Sequence, residues 1–337
     1  MYGIEVILLT NNVIYPFQNL NLPFTELNKL FATQLISEHG LGFLINIYEK
    51  SSSNLNNKLL KQIIFDTGGS NNTFIHNLDV FNFPLYDLDT IVLSHWHYDH
   101  FGSLYKVLER VNKKVKLITH QDALFERIFK RAKGLNNDDI VGKSKEELVP
   151  LFSDSRIILQ EPINMEKIKA YNCSLSFNKE LSEIFISDGI RILASGEIPR
   201  KNRVEDFKSF FSLQDNVAKL DKIQDDKCLF LEFDENLIIL NGCCHSGLIN
   251  VLEYTRDLFT KPITHIIGGF HMANASRDLV DFTLNYLKKL DNQKENLYLF
   301  PIHCSGEQII EAINRAQFEK IHAFNASVGT VFKFDSY

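Results

Sequence analysis

The residues best suited to chemistry are crowded into one short run, Ser94-His95-Trp96-His97-Tyr98-Asp99-His100. His95 and His97 stand two apart, so in an extended turn both imidazoles project to the same side. Asp99 and His100 follow at once, which places four metal-ligating side chains within six residues. Imidazole nitrogen with carboxylate oxygen suits Zn²⁺, and also Fe²⁺ or Mn²⁺. An apolar run, LDTIVL, precedes the cluster and the amphipathic GSLYKVLER follows it, so the histidines belong at a turn between a buried strand and a helix. The first N–H groups of a helix beginning near Gly102 could also hold anionic substrate oxygens.

The rest of the chain must position that turn. Strand patterns run over Ile4–Leu9, Gly42–Glu49, Leu59–Phe65 and VKLIT (115–119), with a helix-like segment around Phe24–Ile36 and a helix through Phe74, Ile75, Leu78 and Val80. SSSNLNNK (51–58) reads as a polar hairpin loop. Residues 122–190 are too long for an ordinary connection and are expected to form an inserted helical and loop cap over one end of the sheet. IRILA, CLFLEF and NLIILN are strands after it, and the last third alternates helix and strand up to VGTVFKF. A β-rich first half followed by β-α units predicts an αββα sandwich, two mixed sheets flanked by helices, as a single domain over 1–337.

Composition narrows the class. The chain has 337 residues, 45% of them hydrophobic, with 27 Phe and 11 Tyr, which is enough to bury a large core without disulfides. Lys+Arg total 36 against Asp+Glu 42, a net charge of −6, so no broad electrostatic footprint for nucleic acid is expected. The five cysteines (173, 228, 243, 244 and 304) form a poor disulfide framework and suit a reducing cytoplasm. Neither a secretory leader nor a membrane span is read in the sequence. GCCHSG lacks the serine of a nucleophile elbow, and no phosphate-cradling glycine loop is present.

SHWHYDH resembles the HxHxDH motif of the metallo-β-lactamase fold superfamily and matches it throughout. FDTGG resembles the segment carrying that superfamily's early aspartate, which puts Asp66 beside the metal site. SGEIPR (195–200), GCCHSGLIN (242–250), GGFHM (268–272) and PIHCSGE (301–307) make the chain similar to the dihydropterin ribofuranosyl-aminobenzene phosphate synthase-like metal-dependent hydrolases. The resemblance implies that His245 and His303, both at strand ends, join His95, His97, Asp99 and His100 as metal ligands. His271 is either a ligand or a catalytic substrate contact. The bridging aspartate usual in the superfamily is missing after the Gly242 strand, where Cys243, Cys244 and His245 stand instead; one metal or two is left open, and Cys243 is placed beside the ligands. Glu197 occupies a strand end where a histidine is common and could ligate, act as acid or base, or pair with Arg200.

The function implied is that of a metal-dependent hydrolase-like enzyme, in which Asp99 ligates and orients a metal-activated water. Its substrate is expected to be a phosphorylated or pterin-like small anion, with Arg200, Arg127 and Arg131 as phosphate-binding candidates. The alternatives are a lactone or phosphodiester hydrolase of the same fold, or a non-catalytic metal-binding module. Diiron redox relatives carry Glu where His97 stands. His39, His76, His120, His265 and His322 belong to no motif and read as structural.

Overall fold

Alternation with a period of two decides which way each strand faces. Along β1 (Tyr2–Thr10), Ile4, Val6 and Leu8 enter one core while Ile7 and Leu9 enter another. β15 (Asn236–Asn241) does the same, sending Ile238 and Leu240 one way and Leu237 and Ile239 the other. Strands buried on both faces in this manner belong to sheets covered on both sides.

The computed structural model describes residues 2–15, 18, 20–27, 33–50, 57–70, 72–111, 113–187, 189–202 and 207–335. Its first sheet joins β1 to β2 (Thr25–Leu27), β3 (Gly42–Glu49), β4 (Lys58–Thr67), β5 (Leu88–Val92), β6 (Val115–Thr119), β9 (Cys173–Phe177) and β19 (Thr330–Asp335), in the order β2-β19-β1-β3-β4-β5-β6-β9. The second contains β10 (Ser182–Ser187), β11 (Ile190–Ala194), β14 (Cys228–Phe233), β15, β16 (Ile263–Gly269), β17 (Leu297–Ile302) and β18 (Ile321–Ala323), in that order. β4 to β9 run parallel in the first sheet, and β15 to β18 in the second.

The central core lies between the two sheets and includes Phe43, Phe65, Ile192, Leu231, Ile267 and Phe300. Helices α1 (Thr73–Val80), α2 (Tyr98–Phe101) and α3 (Leu104–Arg110) follow strands of the first sheet, and Phe74, Leu78, Leu104 and Val107 pack on its outer face. On the outer face of the second sheet, α6 (Leu248–Leu258), α7 (Arg277–Leu290) and α8 (Glu307–Arg315) bury Val251, Leu252, Leu287, Ile309 and Ile313. The arrangement is the αββα sandwich that the sequence predicts.

The inserted segment differs from its expected helical and loop character. β7 (Glu126–Lys130) and β8 (Ile157–Gln160) pair with β12 (Phe210–Gln214) and β13 (Val217–Leu220) in a separate antiparallel sheet, ordered β13-β12-β7-β8, with α4 (Lys145–Ser153) beside it. The pairing of β7 with β12 is not local. Phe129 sits opposite Phe210 and Ile128 opposite Phe211, some eighty positions away. Within the same 122–190 interval, α5 (Met165–Ala170) leads into β9, which joins the first sheet, and β10 joins the second. Of the Phe24–Ile36 segment, residues 28–32 lie outside the described residues, and Thr25–Leu27 is an edge strand rather than a helix. Residues 51–56 of the expected hairpin loop are also outside them.

Arg127 overturns its assignment as a phosphate contact. It is 1% exposed on β7, with Nη2 2.6 Å from Asp225 Oδ2 and Nη1 3.4 Å from Asp221 Oδ2. A guanidinium held between two buried carboxylates is already neutralised and has no route to a solvent-borne anion. Removing it would strand those carboxylates, at a cost of about 3–5 kcal/mol. Arg127→Ala is therefore expected to lower the free energy of unfolding, measured by denaturant titration, by an amount of that order. An unchanged unfolding curve would contradict this structural role.

Candidate metal centre

The carboxyl ends of the parallel strands of both sheets meet at one place, as open α/β sheets generally arrange their sites. β4 delivers Asp66, β5 the Ser94–His100 turn, β15 Cys243 and His245, β16 His271, and β17 His303. Several of these ends turn sharply. Asp66 (φ 58°), Cys244 (φ 66°), His271 (φ 50°) and His303 (φ 56°) all occupy the left-handed region. That conformation costs a side-chain-bearing residue on the order of 1–2 kcal/mol and persists where surroundings over-determine it. Gly242 lets the two sheets approach here, because a Cβ on it would lie 2.2 Å from Ser94 Oγ.

Asp66 ties the turn to the sheet. It is fully buried; its Oδ1 accepts from Ser94 N at 2.7 Å, and its Oδ2 accepts from Ser94 Oγ at 2.7 Å and pairs with His100 Nδ1 at 2.6 Å. With Nδ1 so engaged, His100 presents Nε2, which lies 3.2 Å from Cys243 Sγ and 3.6 Å from Asp99 Oδ2. His303 is fixed in the same way, with Nδ1 3.1 Å from Asn12 Oδ1, its backbone N–H on Asn11 Oδ1, and Nε2 3.2 Å from Asp99 Oδ2. Ligating histidines are commonly oriented by such a partner on the second ring nitrogen. His95 Nε2 is 3.0 Å from His97 Nδ1, and the His245 ring lies 4.9 Å from that of His95 and 4.2 Å from that of His271.

These residues fit a divalent metal. His97 Nε2 is buried and finds no hydrogen-bond partner among the described residues. Potential ligand atoms of Asp99, His100, Cys243 and His303 lie within 4.8 Å of one another, as do those of His95, Cys243 and His245. Burial holds His95 and His97 well below the ordinary imidazole pKa, so both are neutral donors at pH 7. Burial opposes ionisation of Asp99, but His100 and His303 outweigh it and keep the carboxyl well below its usual range.

The separate sheet grips the histidine turn from the other side. Gln160 on β8 accepts from Tyr98 N at 2.8 Å and donates to Trp96 O at 2.6 Å, while Asp225 accepts from Trp96 N at 2.7 Å. Trp96 donates through Nε1 to Glu161 O and stacks on Phe101 at 3.8 Å. Phe129 and Phe210 each place a ring 5.2 Å from that of His97.

The structure thus gathers His95, His97, Asp99, His100, His245, His303, Cys243 and Asp66, with His271 alongside. Other expected residues have different partners. Glu197 pairs with His120 Nε2 at 3.1 Å and Lys179 Nζ at 3.5 Å, and belongs to neither metal-capable group. Arg200 donates to the carbonyls of Lys222 and Ile223 and lies over Phe207, so its guanidinium braces a loop. Arg131 is exposed just beyond β7, its backbone N–H bonded to Arg156 O. Sequence reasoning missed His39, whose Nε2 is 3.3 Å from Asp99 Oδ2 and whose ring stacks on His303 at 5.0 Å. No spacing marks it. It also missed Asn11 and Asn12, although their place after the β1 run was a strand-end signal.

Sandwich and site together define a member of the metallo-β-lactamase fold class, and the chain belongs to the Metallo-beta-lactamase superfamily, whose family model matches residues 61–153. Among individual relatives, it is 30% identical over 292 residues to the Methanocaldococcus jannaschii protein named "Uncharacterized protein MJ0448", covering 86% of this chain and 91% of that protein. From the same organism, 7,8-dihydropterin-6-methyl-4-(beta-D-ribofuranosyl)-aminobenzene-5'-phosphate synthase is 25% identical over 306 residues, covering 88% of this chain and 90% of the synthase. The crystal structure of Tm1679, described as a metal-dependent hydrolase of the beta-lactamase superfamily, superposes with a TM-score of 0.65 at 20% identity over 99% of each chain, a likeness of fold. No helix among the described residues is long and apolar enough to cross a membrane.

Of the strand-end histidines of the second sheet, His303 and His271 should respond differently to truncation. His303 is in the four-residue group and His271 is in neither. His303→Ala is expected to remove most of the bound metal, measured by elemental analysis of purified protein, whereas His271→Ala should retain it. Equal or reversed losses would sink this ordering.

Proposed function

We propose that this chain is a metal-dependent enzyme acting on a phosphorylated or pterin-like small molecule through an activated water. The observation that carries the reading is the convergence of buried histidines with Asp99 and Cys243 at the carboxyl ends of two sheets. A divalent metal held by His95, His97, Asp99, His100, His245 and His303, zinc being the expected ion, would polarise an oxygen of the substrate and bring the pKa of water towards neutrality.

The chain's own groups supply the rest. Asp99, ionised and 6% exposed, stands where it can accept a hydrogen bond from the attacking water and fix its direction. His39 lies on the solvent side of Asp99, its side chain 55% exposed. Burial lowers its pKa below the ordinary value, so at pH 7 the ring is neutral and able to carry a proton from the site to solvent. Phe129 and Phe210 wall the His97 side with aromatic surface, which favours a planar ring such as a pterin. The dihydropterin-phosphate synthase among the relatives supports the same substrate class. Since Arg127 and Arg200 are engaged elsewhere, the anionic part of the substrate is assigned to the metal, with the exposed Arg131 as the remaining arginine candidate.

The test is turnover by protein loaded with Zn²⁺, Mn²⁺ or Fe²⁺ on phosphomonoester, phosphodiester, lactone and reduced-pterin substrates. Metal-dependent turnover of a phosphorylated or pterin substrate is expected, abolished in a folded His97→Ala variant. His39→Gln should lower kcat by about 10²-fold or more while leaving metal content unchanged. Turnover of lactones alone would reassign the substrate. Full metal occupancy without any turnover would favour a binding module.

A further inference from the structure

The two metal-capable groups are not independent. One contains Asp99, His100, Cys243 and His303, the other His95, Cys243 and His245, and Cys243 is common to both. Deprived of its sulfur, the second group keeps only His95 and His245, with His97 beside them, and has no anionic donor. Cys243 is 3% exposed, and its Sγ already lies 3.2 Å from His100 Nε2 on the side of the first group. Meanwhile His97 Nε2, next to His95, is a buried polar atom without a hydrogen-bond partner among the described residues. A single ion in the first group would leave that nitrogen unsatisfied.

Charge points the same way. Two dications in a buried pocket need anionic donors, and Asp66 is already engaged by Ser94 and His100. Asp99 and Cys243 are the acidic donors of the two groups, and only Cys243 is within reach of both. A coordinated thiol loses its proton outright, and a thiolate has lone pairs for two ions. The neighbouring Cys304 belongs to neither group, and its Sγ donates to Cys243 O at 3.5 Å.

We propose that the Cys243 thiolate bridges two divalent metal ions, one held with Asp99, His100 and His303 and the other with His95, His97 and His245. A bridging sulfur makes the centre selective for zinc-like ions over magnesium or calcium, which prefer oxygen. The inference rests on the metal-dependent reading above.

Cobalt is the probe, titrated into chelator-treated full-length protein, with ions per chain counted by native mass spectrometry and thiolate-to-cobalt charge transfer followed in the near ultraviolet. Two Co²⁺ per chain are expected, with the charge-transfer band growing across both equivalents. Cys243→Ser should lose the band and at least one ion, and Cys243→Asp should keep two ions without the band, which covers the case of a poorly folding serine variant. Cys304→Ser should keep the band and both ions. A band that survives in either Cys243 variant, or grows only with the first equivalent, would overturn the bridge while leaving the metal-dependent reading intact. Failure of the unmodified protein to bind cobalt would overturn both.

Discussion

A single buried carboxylate holds this site to its scaffold. Asp66, at the end of one parallel strand, takes three hydrogen bonds from the start and finish of the Ser94–His100 turn that ends the next. It fixes the rotation of the His100 ring, and Ser94 Oγ passes the constraint to His95 Nδ1 at 2.9 Å. A fully buried aspartate is tolerable only when its oxygens are satisfied in this manner. Loss of the interaction would free the turn from the sheet, and the geometry of every donor in it would loosen together.

The second sheet adds its donors across a contact with almost no room to spare. Gly242 lies against Ser94, and Gly269 N donates to Gly242 O at 2.8 Å, so the backbones of β15 and β16 pass close to the histidine turn. His303 and Cys243 reach Asp99 and His100 because these strand ends are pressed together. Left-handed backbone at Cys244, His271 and His303 is the conformational cost of aiming side chains inward at that edge.

The small antiparallel sheet shares in building the site. Its Gln160 binds both sides of the Trp96–Tyr98 backbone, and the buried Arg127–Asp225 pair connects β7 to Trp96 N. Its aromatic residues, not its basic ones, face His97. The segment therefore contributes rigidity to the cluster and aromatic contacts to His97, while its Arg127 is occupied by internal carboxylates.

Local pattern alone determined a good part of this protein. Runs such as NLIILN and VKLIT alternate or stay apolar over strand lengths, and GEQIIEAINR repeats with helical period, because each element's burial is written in its own residues. The HWHYDH spacing and the strand-end positions of His245 and His303 were legible for the same reason: strand ends bounded by apolar runs are a local signal. Tertiary structure alone decided the remainder. β7 becomes a strand by pairing with β8 and with β12 far along the chain, and Arg127 ceases to be a surface cation only once Asp221 and Asp225 fold over it. His39 and Asn12 reach the cluster through close packing of loops with no motif between them, and Cys243 falls into both donor groups because two sheets meet at a glycine. Such relations depend on distances between residues remote in sequence, and hydrophobic periodicity carries no information about them.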